Sequence, residues 1–189
     1  MFCNQTARRA GNTIAHLANV AAAAAIVATG TLHVGATPAV AESLEPMIPD
    51  SERHCLQKNI FFESRNQSTL GQVAVAWVTV NRTDSPLYPN TLCRVVKQAQ
   101  LDSNRNPIKH KCQFSWYCDG KSDQVPDNAV ATRAWEDAGI VADVVLLDWL
   151  RARKGPVGEA VMYHATYVEP YWADSYTQVA QVDDHIFYE

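Results

Sequence analysis

Apolar residues recur along this chain in stretches whose spacing predicts four helices. From Ser51 to Phe62, Leu56 and Ile60 lie one turn apart and Glu63 continues their face, because residues three, four and seven apart line up at about 100° per step. Asp50 or Ser51 is placed to cap this first helix. Val73 to Arg82 alternates β-branched residues as a strand would. It is apolar on every side, however, and follows Thr69-Leu70-Gly71-Gln72, a capping box, so the segment reads as a buried helix. Thr91 caps a short third helix reaching about Ala99. Pro126-Asp127-Asn128 opens the longest pattern, Ala129 to about Arg153, with Ala131, Ala134, Trp135, Ala138, Ala142, Val145 and Trp149 on its apolar face. Lys154-Gly155-Pro156 would end it with a C-cap glycine and a following proline.

Between these helices the pattern changes. Asp84-Ser85-Pro86 and Tyr88-Pro89-Asn90 are turn-forming. Leu101 to Asp123 is polar, Asn-rich and aromatic without a sustained period, which predicts a long functional loop. Gly158 to Tyr167 alternates enough, through Val161, Tyr163 and Ala165, to predict a short strand. The expectation is an α+β domain, mainly helical with small β elements, over residues 51–175. A linker at 42–50 would precede it and a polar C-terminal tail at 176–189 would follow.

The first forty residues are of another composition. Arg8 and Arg9 precede a stretch from Ala10 to Ala41 without any Asp, Glu, Lys or Arg, closing on the small-x-small pattern Ala39-Val40-Ala41. A basic start, an apolar middle and such an ending predict a secretory signal peptide over residues 1–41. An uncleaved leader acting as a membrane anchor is the alternative, since the stretch is long enough to span. The chain is therefore expected in the periplasm, the cell wall or outside the cell, touching a membrane only through the leader if it is kept. Its 189 residues suit one catalytic domain and a monomer, and the formal charge of −4 gives no sign of a nucleic-acid partner.

Cysteine usage agrees with export. Cys3 would leave with the leader, and Cys55, Cys93, Cys112 and Cys118 form an even set, read as two disulfides with three possible connectivities. The closeness of Cys112 to Cys118, and the position of Cys55 and Cys93 near the starts of two helices, favour Cys55–Cys93 with Cys112–Cys118. A zinc site would call for a paired C-x-x-C, which is absent, and no motif requires a metal or other cofactor.

The chemistry centres on Glu63. A carboxyl on the buried side of a helix resists ionisation and can carry a proton at neutral pH, the requirement for a general acid. Hydrolysis of a glycosidic bond normally uses two carboxylates, and no second one stands in a motif: Asp84, Asp102, Asp119 and Asp123 all fall in predicted loops. Phe114, Trp116 and Tyr117 offer flat faces for sugar rings, with Phe114 expected in the core and Trp116 in a groove, while Gln113 and Ser115 offer hydrogen bonds. Gln72 faces the first turn of its helix, where it serves the cap or reaches a cleft. Asn81 and Arg82 read as structural.

Taken in order, Asn59-Ile60-Phe61-Phe62-Glu63-Ser64-Arg65, Gly71-Gln72-Val73-Ala74-Val75-Ala76, Val80-Asn81-Arg82, Cys112-Gln113-Phe114-Ser115-Trp116 with Asp119-Gly120, and Tyr163-His164-Ala165 resemble the SleB-like cell-wall hydrolases. The resemblance covers roughly Cys55 to Trp172. It implies a lysozyme-like fold and cleavage of the MurNAc–GlcNAc strand of peptidoglycan, as a lytic transglycosylase, with Glu63 at the catalytic position. Ser64-Arg65-Asn66-Gln67 stands where the family has Ala-Arg-Gly-Glu, so the second acid of that motif is missing. The match also gives His164 a site role beside Tyr163, which would position Glu63 or the substrate. Lysozyme-type hydrolysis, a non-catalytic glycan-binding module and a cysteine peptidase using Cys118 with His164 are the alternatives.

Overall fold

The computed structural model describes residues 47–189, so the predicted leader, the anchor alternative and most of the linker lie outside the described residues. Four helices and five strands follow in the order α1 (Asp50–Ser64), α2 (Thr69–Asp84), α3 (Leu92–Val96), β1 (Ala99–Leu101), β2 (Pro107–Cys112), α4 (Ala129–Leu150), β3 (Met162–Ala165), β4 (Gln178–Val182) and β5 (His185–Tyr188). The fold is α+β, as the apolar periodicity predicts. None of the described helices is long and apolar enough to cross a membrane.

Helix α2 is the centre of the core because it is apolar all round: Ala74 to Val80 are all buried. Leu56, Ile60 and Phe61 of α1 and Ala138, Val141, Ala142, Val145 and Leu146 of α4 join it in one cluster. Thr91 and Asn128 cap α3 and α4 by accepting from the backbone N–H three residues on. The cap of α2 differs from the expectation. Ser68, not Thr69, accepts from the Gly71 N–H at 3.2 Å. Asp183, in the turn between β4 and β5, then accepts from the Ser68 backbone N–H at 2.9 Å and its hydroxyl at 2.6 Å. A carboxylate there is favoured by the positive end of the helix, and it replaces the Gln expected to complete the box. A Cβ on Gly71 would fall 2.4 Å from that carboxylate.

Two further expectations are corrected. Helix α4 does not end on Gly155: Arg151 is its C-cap and Ala152 takes the left-handed conformation at φ 53°. Gly155 instead lies flat on the Trp77 indole, where a Cβ would come within 2.2 Å of the ring. Gly155→Ala is therefore expected to destabilise the domain by about 1–3 kcal/mol through overpacking, read as a lower urea midpoint at unchanged slope. The predicted polar tail is also wrong. Residues 178–182 and 185–188 form β4 and β5, and β5 is the middle strand of an antiparallel sheet ordered β3-β5-β4. Its short apolar stretch, Ile186-Phe187-Tyr188, is led by charged residues and carries too few alternations to register as a strand.

Part of the long loop is likewise structured, since β1 and β2 pair antiparallel as an exposed hairpin. Both disulfides have the favoured connectivity, Cys55–Cys93 joining α1 to the start of α3, and Cys112–Cys118 tying the end of β2 to a short 3-10 turn at Ser115–Cys118. Below that turn lies a second, smaller core of Val95, Val96, Phe114 and Trp116. Phe62 and Tyr163 pack against both cores and mark the seam between them.

Candidate active site

Glu63 sits in the last turn of α1, next to Phe62, on this seam. Tyr163 of β3 donates its hydroxyl hydrogen to Glu63 Oε2 at 2.8 Å. Burial pushes the Glu63 carboxyl above its ordinary range, and the Tyr163 hydrogen bond and the Arg82 cation each pull it part of the way back. Tyr163 itself is pushed well above the usual phenol range, chiefly by burial and then by Glu63. Near neutral pH it is therefore a donor.

Arg82 holds the other side of this pair. It is 2% exposed, and burial lowers its pKa against the opposing pull of Tyr163, Tyr88 and Glu63. Its guanidinium lies between the rings of Tyr88 (5.2 Å) and Phe114 (5.0 Å), and its Nε donates to the Val161 carbonyl at 2.7 Å. The Gln113 amide, turned with its oxygen toward the guanidinium, accepts from both terminal nitrogens at 2.9 and 3.3 Å. Arg82 thus joins α2, the aromatic turn and the entry to β3. Read from sequence it is a structural residue at a helix end; the rings that shelter it come from Tyr88 and Phe114, which no local pattern connects to it. Asn81 does hold structure alone, donating to the carbonyls of Gly158 and Ala160.

The other predicted site residues divide. Gln113 and Ser115 are exposed and Tyr117 is half-buried, all on the turn beside the seam, and Phe114 is core as expected. Trp116 is not in a groove. It is 7% exposed, stacks on Phe62 at 4.9 Å, and donates its indole N–H to Asn59 Oδ1 at 2.9 Å. Asn59, fully buried, also donates to the Thr79 hydroxyl at 3.0 Å. A buried Asn satisfied on both ends fixes the indole inward, where burying an unpaired amide would be costly. Asn59 stands four residues before Glu63 on the same helical face, so a polar residue amid an apolar stretch was its available signal.

His164 is brought to the opposite side of the sheet. Successive strand residues face opposite ways, so Tyr163 shares the core face with its register partner Phe187 and with His185, while His164 stacks on Tyr188 at 5.3 Å and packs on Trp172. Its Nε2 and the Tyr188 hydroxyl are hydrogen-bonded at 2.8 Å. It does not meet Glu63, and its hydrogen bonds and ring contacts are with Ala165, Tyr188 and Trp172. Cys118 is held in its disulfide, which leaves no thiol there for a cysteine nucleophile. Gln72 is 9% exposed and donates to the Gln67 carbonyl at 3.3 Å. Among the described residues no group of His, Cys, Asp and Glu is placed to hold a metal ion.

The family model for cell wall hydrolases matches residues 66–188, about two thirds of the chain. This chain belongs to the cell wall hydrolase family. The match begins just after Glu63, so the place of that residue in the site comes from the geometry above. Among solved structures, the chain resembles the catalytic domain of the germination-specific lytic transglycosylase SleB from Bacillus anthracis, at 26% identity and a TM-score of 0.53, over 76% of this chain and 98% of that one. The catalytic domain of the Bacillus cereus SleB protein is also similar, at 26% identity and a TM-score of 0.48, over 74% of this chain and 91% of that one. Comparison with curated proteins finds no match. The protein is a cell wall hydrolase with the SleB-like, lysozyme-like fold.

Proposed function

We propose that this cell wall hydrolase is an exported lytic transglycosylase of peptidoglycan, with Glu63 as its single general acid and base and its domain boundary near residue 50. The observation that carries the reading is the environment of Glu63: a carboxyl made hard to ionise by burial, oriented by Tyr163, with no carboxylate among the described groups that act on its charge. The protonated carboxyl gives its proton to the glycosidic oxygen between MurNAc and GlcNAc as the C1–O bond breaks. The carboxylate left behind takes the proton of the muramyl C6 hydroxyl as that oxygen bonds to C1, closing a 1,6-anhydro ring and restoring the acid. No water is activated, so no second base is needed, whereas hydrolysis would need one. Gln113, Ser115 and Tyr117, on the exposed turn beside the seam, are the residues we assign to sugar contacts. Pairing of all four described cysteines supports a site of action outside the reducing cytoplasm.

The test is mass spectrometry of the muropeptides released from purified peptidoglycan. Anhydro-muramyl ends, lighter by one water than reducing ends, are expected. Reducing ends alone would replace this reading with lysozyme-type hydrolysis, and no release at all would favour a binding module. A second expectation concerns pH. The acid form of Glu63 starts the reaction, so activity falls as pH rises through its raised pKa. Tyr163→Phe removes a donor that favours the carboxylate form, so the alkaline limb of the pH–rate profile should move to higher pH. An unmoved limb would show that the hydroxyl does not act on the catalytic proton.

A further inference from the structure

Besides joining three elements, Arg82 fixes which end of the Gln113 amide faces outward. A guanidinium carries donors only, so the Gln113 atom that meets it is the amide oxygen, which accepts from both terminal nitrogens at 2.9 and 3.3 Å. Arg82 is 2% exposed and is held by the Val161 carbonyl and the rings of Tyr88 and Phe114. The Gln113 backbone is fixed too, its N–H donating to the Gln98 carbonyl at 2.9 Å. An ordinary surface glutamine turns its amide over freely and offers donor or acceptor alike. Turning this one over would set its NH2 against the guanidinium, donor against donor. Gln113 is exposed, and the NH2 is the end turned away from Arg82. With Gln98, Ala99, Gln100, Lys111 and Cys112 it lines an open cavity of about 350 Å³, whose charged lining residue is a cation, Lys111.

We propose that Gln113, held by Arg82, donates to the acetamido carbonyl of a sugar bound beside Glu63, so that the enzyme selects N-acetylated strands over de-N-acetylated ones. The proposal rests on the reading of peptidoglycan as substrate. The amide and the catalytic carboxyl belong to one neighbourhood. Phe114, next to Gln113, and Tyr163, bonded to Glu63, pack in the same small core, and the charges of Glu63 and Tyr163 both act on Arg82. An outward NH2 beside two cations suits an acceptor, and the acetamido carbonyl is the strongest uncharged acceptor that the sugar ring bears. Removing the acetyl group leaves an amine, whose protonated form has donors only. The Gln113 N–H would then lose its partner, and a positive charge would be brought toward Arg82 and Lys111. Both effects act against the de-N-acetylated strand.

The experiment compares cleavage of purified sacculi with cleavage of the same sacculi after their glycan has been de-N-acetylated, using the native protein, Gln113→Ala and Gln113→Glu. The native protein should favour the acetylated strand by about 5- to 20-fold in kcat/KM. Gln113→Ala should bring that ratio toward one. Gln113→Glu keeps one oxygen on Arg82 and presents another outward, turning the donor into an acceptor, so its ratio should fall below that of Gln113→Ala. A ratio of two substrates on one protein is little affected by changes in folded fraction or in the Glu63 proton, which act on both. A native ratio near one, or a native ratio that either variant keeps, overturns the proposal while leaving glycan cleavage intact. If the native protein cleaves neither substrate, the proposed function itself fails. As a direct probe, a tetramer of N-acetylglucosamine should shift the NMR resonances of the Gln113 side-chain NH2 in the native protein, and the de-N-acetylated tetramer should not. No shift with the acetylated tetramer, or an equal shift with both, also overturns the proposal.

Discussion

Glu63→Gln is expected to lower the rate of peptidoglycan cleavage by roughly 10²- to 10⁴-fold, the range for loss of a general acid, with the domain still folded. The amide keeps the size of the side chain and still accepts from Tyr163, but it has no proton to exchange. The same substitution carries a stability signature that a surface glutamate would not give. Because burial raises the Glu63 pKa, the folded chain holds that proton more tightly than the unfolded chain. Stability is therefore lost as pH rises from the ordinary carboxylate range through the folded pKa. Glutamine carries no such loss, so Glu63→Gln should melt with the native protein at pH 4 and at or above it at pH 8. Full lytic activity in the variant would sink the catalytic assignment. A lower melting temperature at pH 8 would sink the account of its environment.

Removing the Cys55–Cys93 disulfide, as the double alanine variant, should cost about 4 kcal/mol. The bridge spans 38 residues, and the figure follows from the loop-closure entropy it denies the unfolded chain. That is a large share of the 5–15 kcal/mol typical of a whole domain, and it corresponds to a fall in Tm of roughly 8–16 °C for a domain of this size. Cys112–Cys118 closes only six residues and its removal should cost about 2 kcal/mol. The order of the two effects is the test: if the short bridge proves the costlier, loop closure is not what these bridges contribute. The long bridge has a second role, since α3 is a single short helix whose Val95 and Val96 floor the smaller core. Loosening it should reach the Phe62–Trp116 stack and, through it, Glu63.

What could be read from the chain and what could not differ by the range of the interactions involved. The helices were legible because caps and periodicity are local: Thr91 and Asn128 act within three residues of themselves. Glu63 was legible because its burial follows from Leu56 and Ile60 on the same helix. Trp116 was misplaced because its inward turn depends on Asn59, 57 residues away, and an aromatic residue in a polar loop fits a groove or a core equally well. His164 could have been placed better. Tyr163 and His164 are neighbours on a strand, so alternation turns them to opposite faces, and Tyr163 is the one that meets Glu63. Arg82 was legible as structural, but not its burial, which depends on Tyr88, Phe114, Gln113 and Val161, residues that no local pattern joins to it.

The middle strand β5 bears on when the surroundings of Tyr163 can form as the chain is made. Its Phe187 and His185 flank the ring of Tyr163, yet the ribosome adds them more than a hundred residues after Glu63. A chain interrupted before His185 carries Glu63 without the strand that seats Tyr163. The ring of Tyr163 gains both of these neighbours only once the chain has passed Phe187.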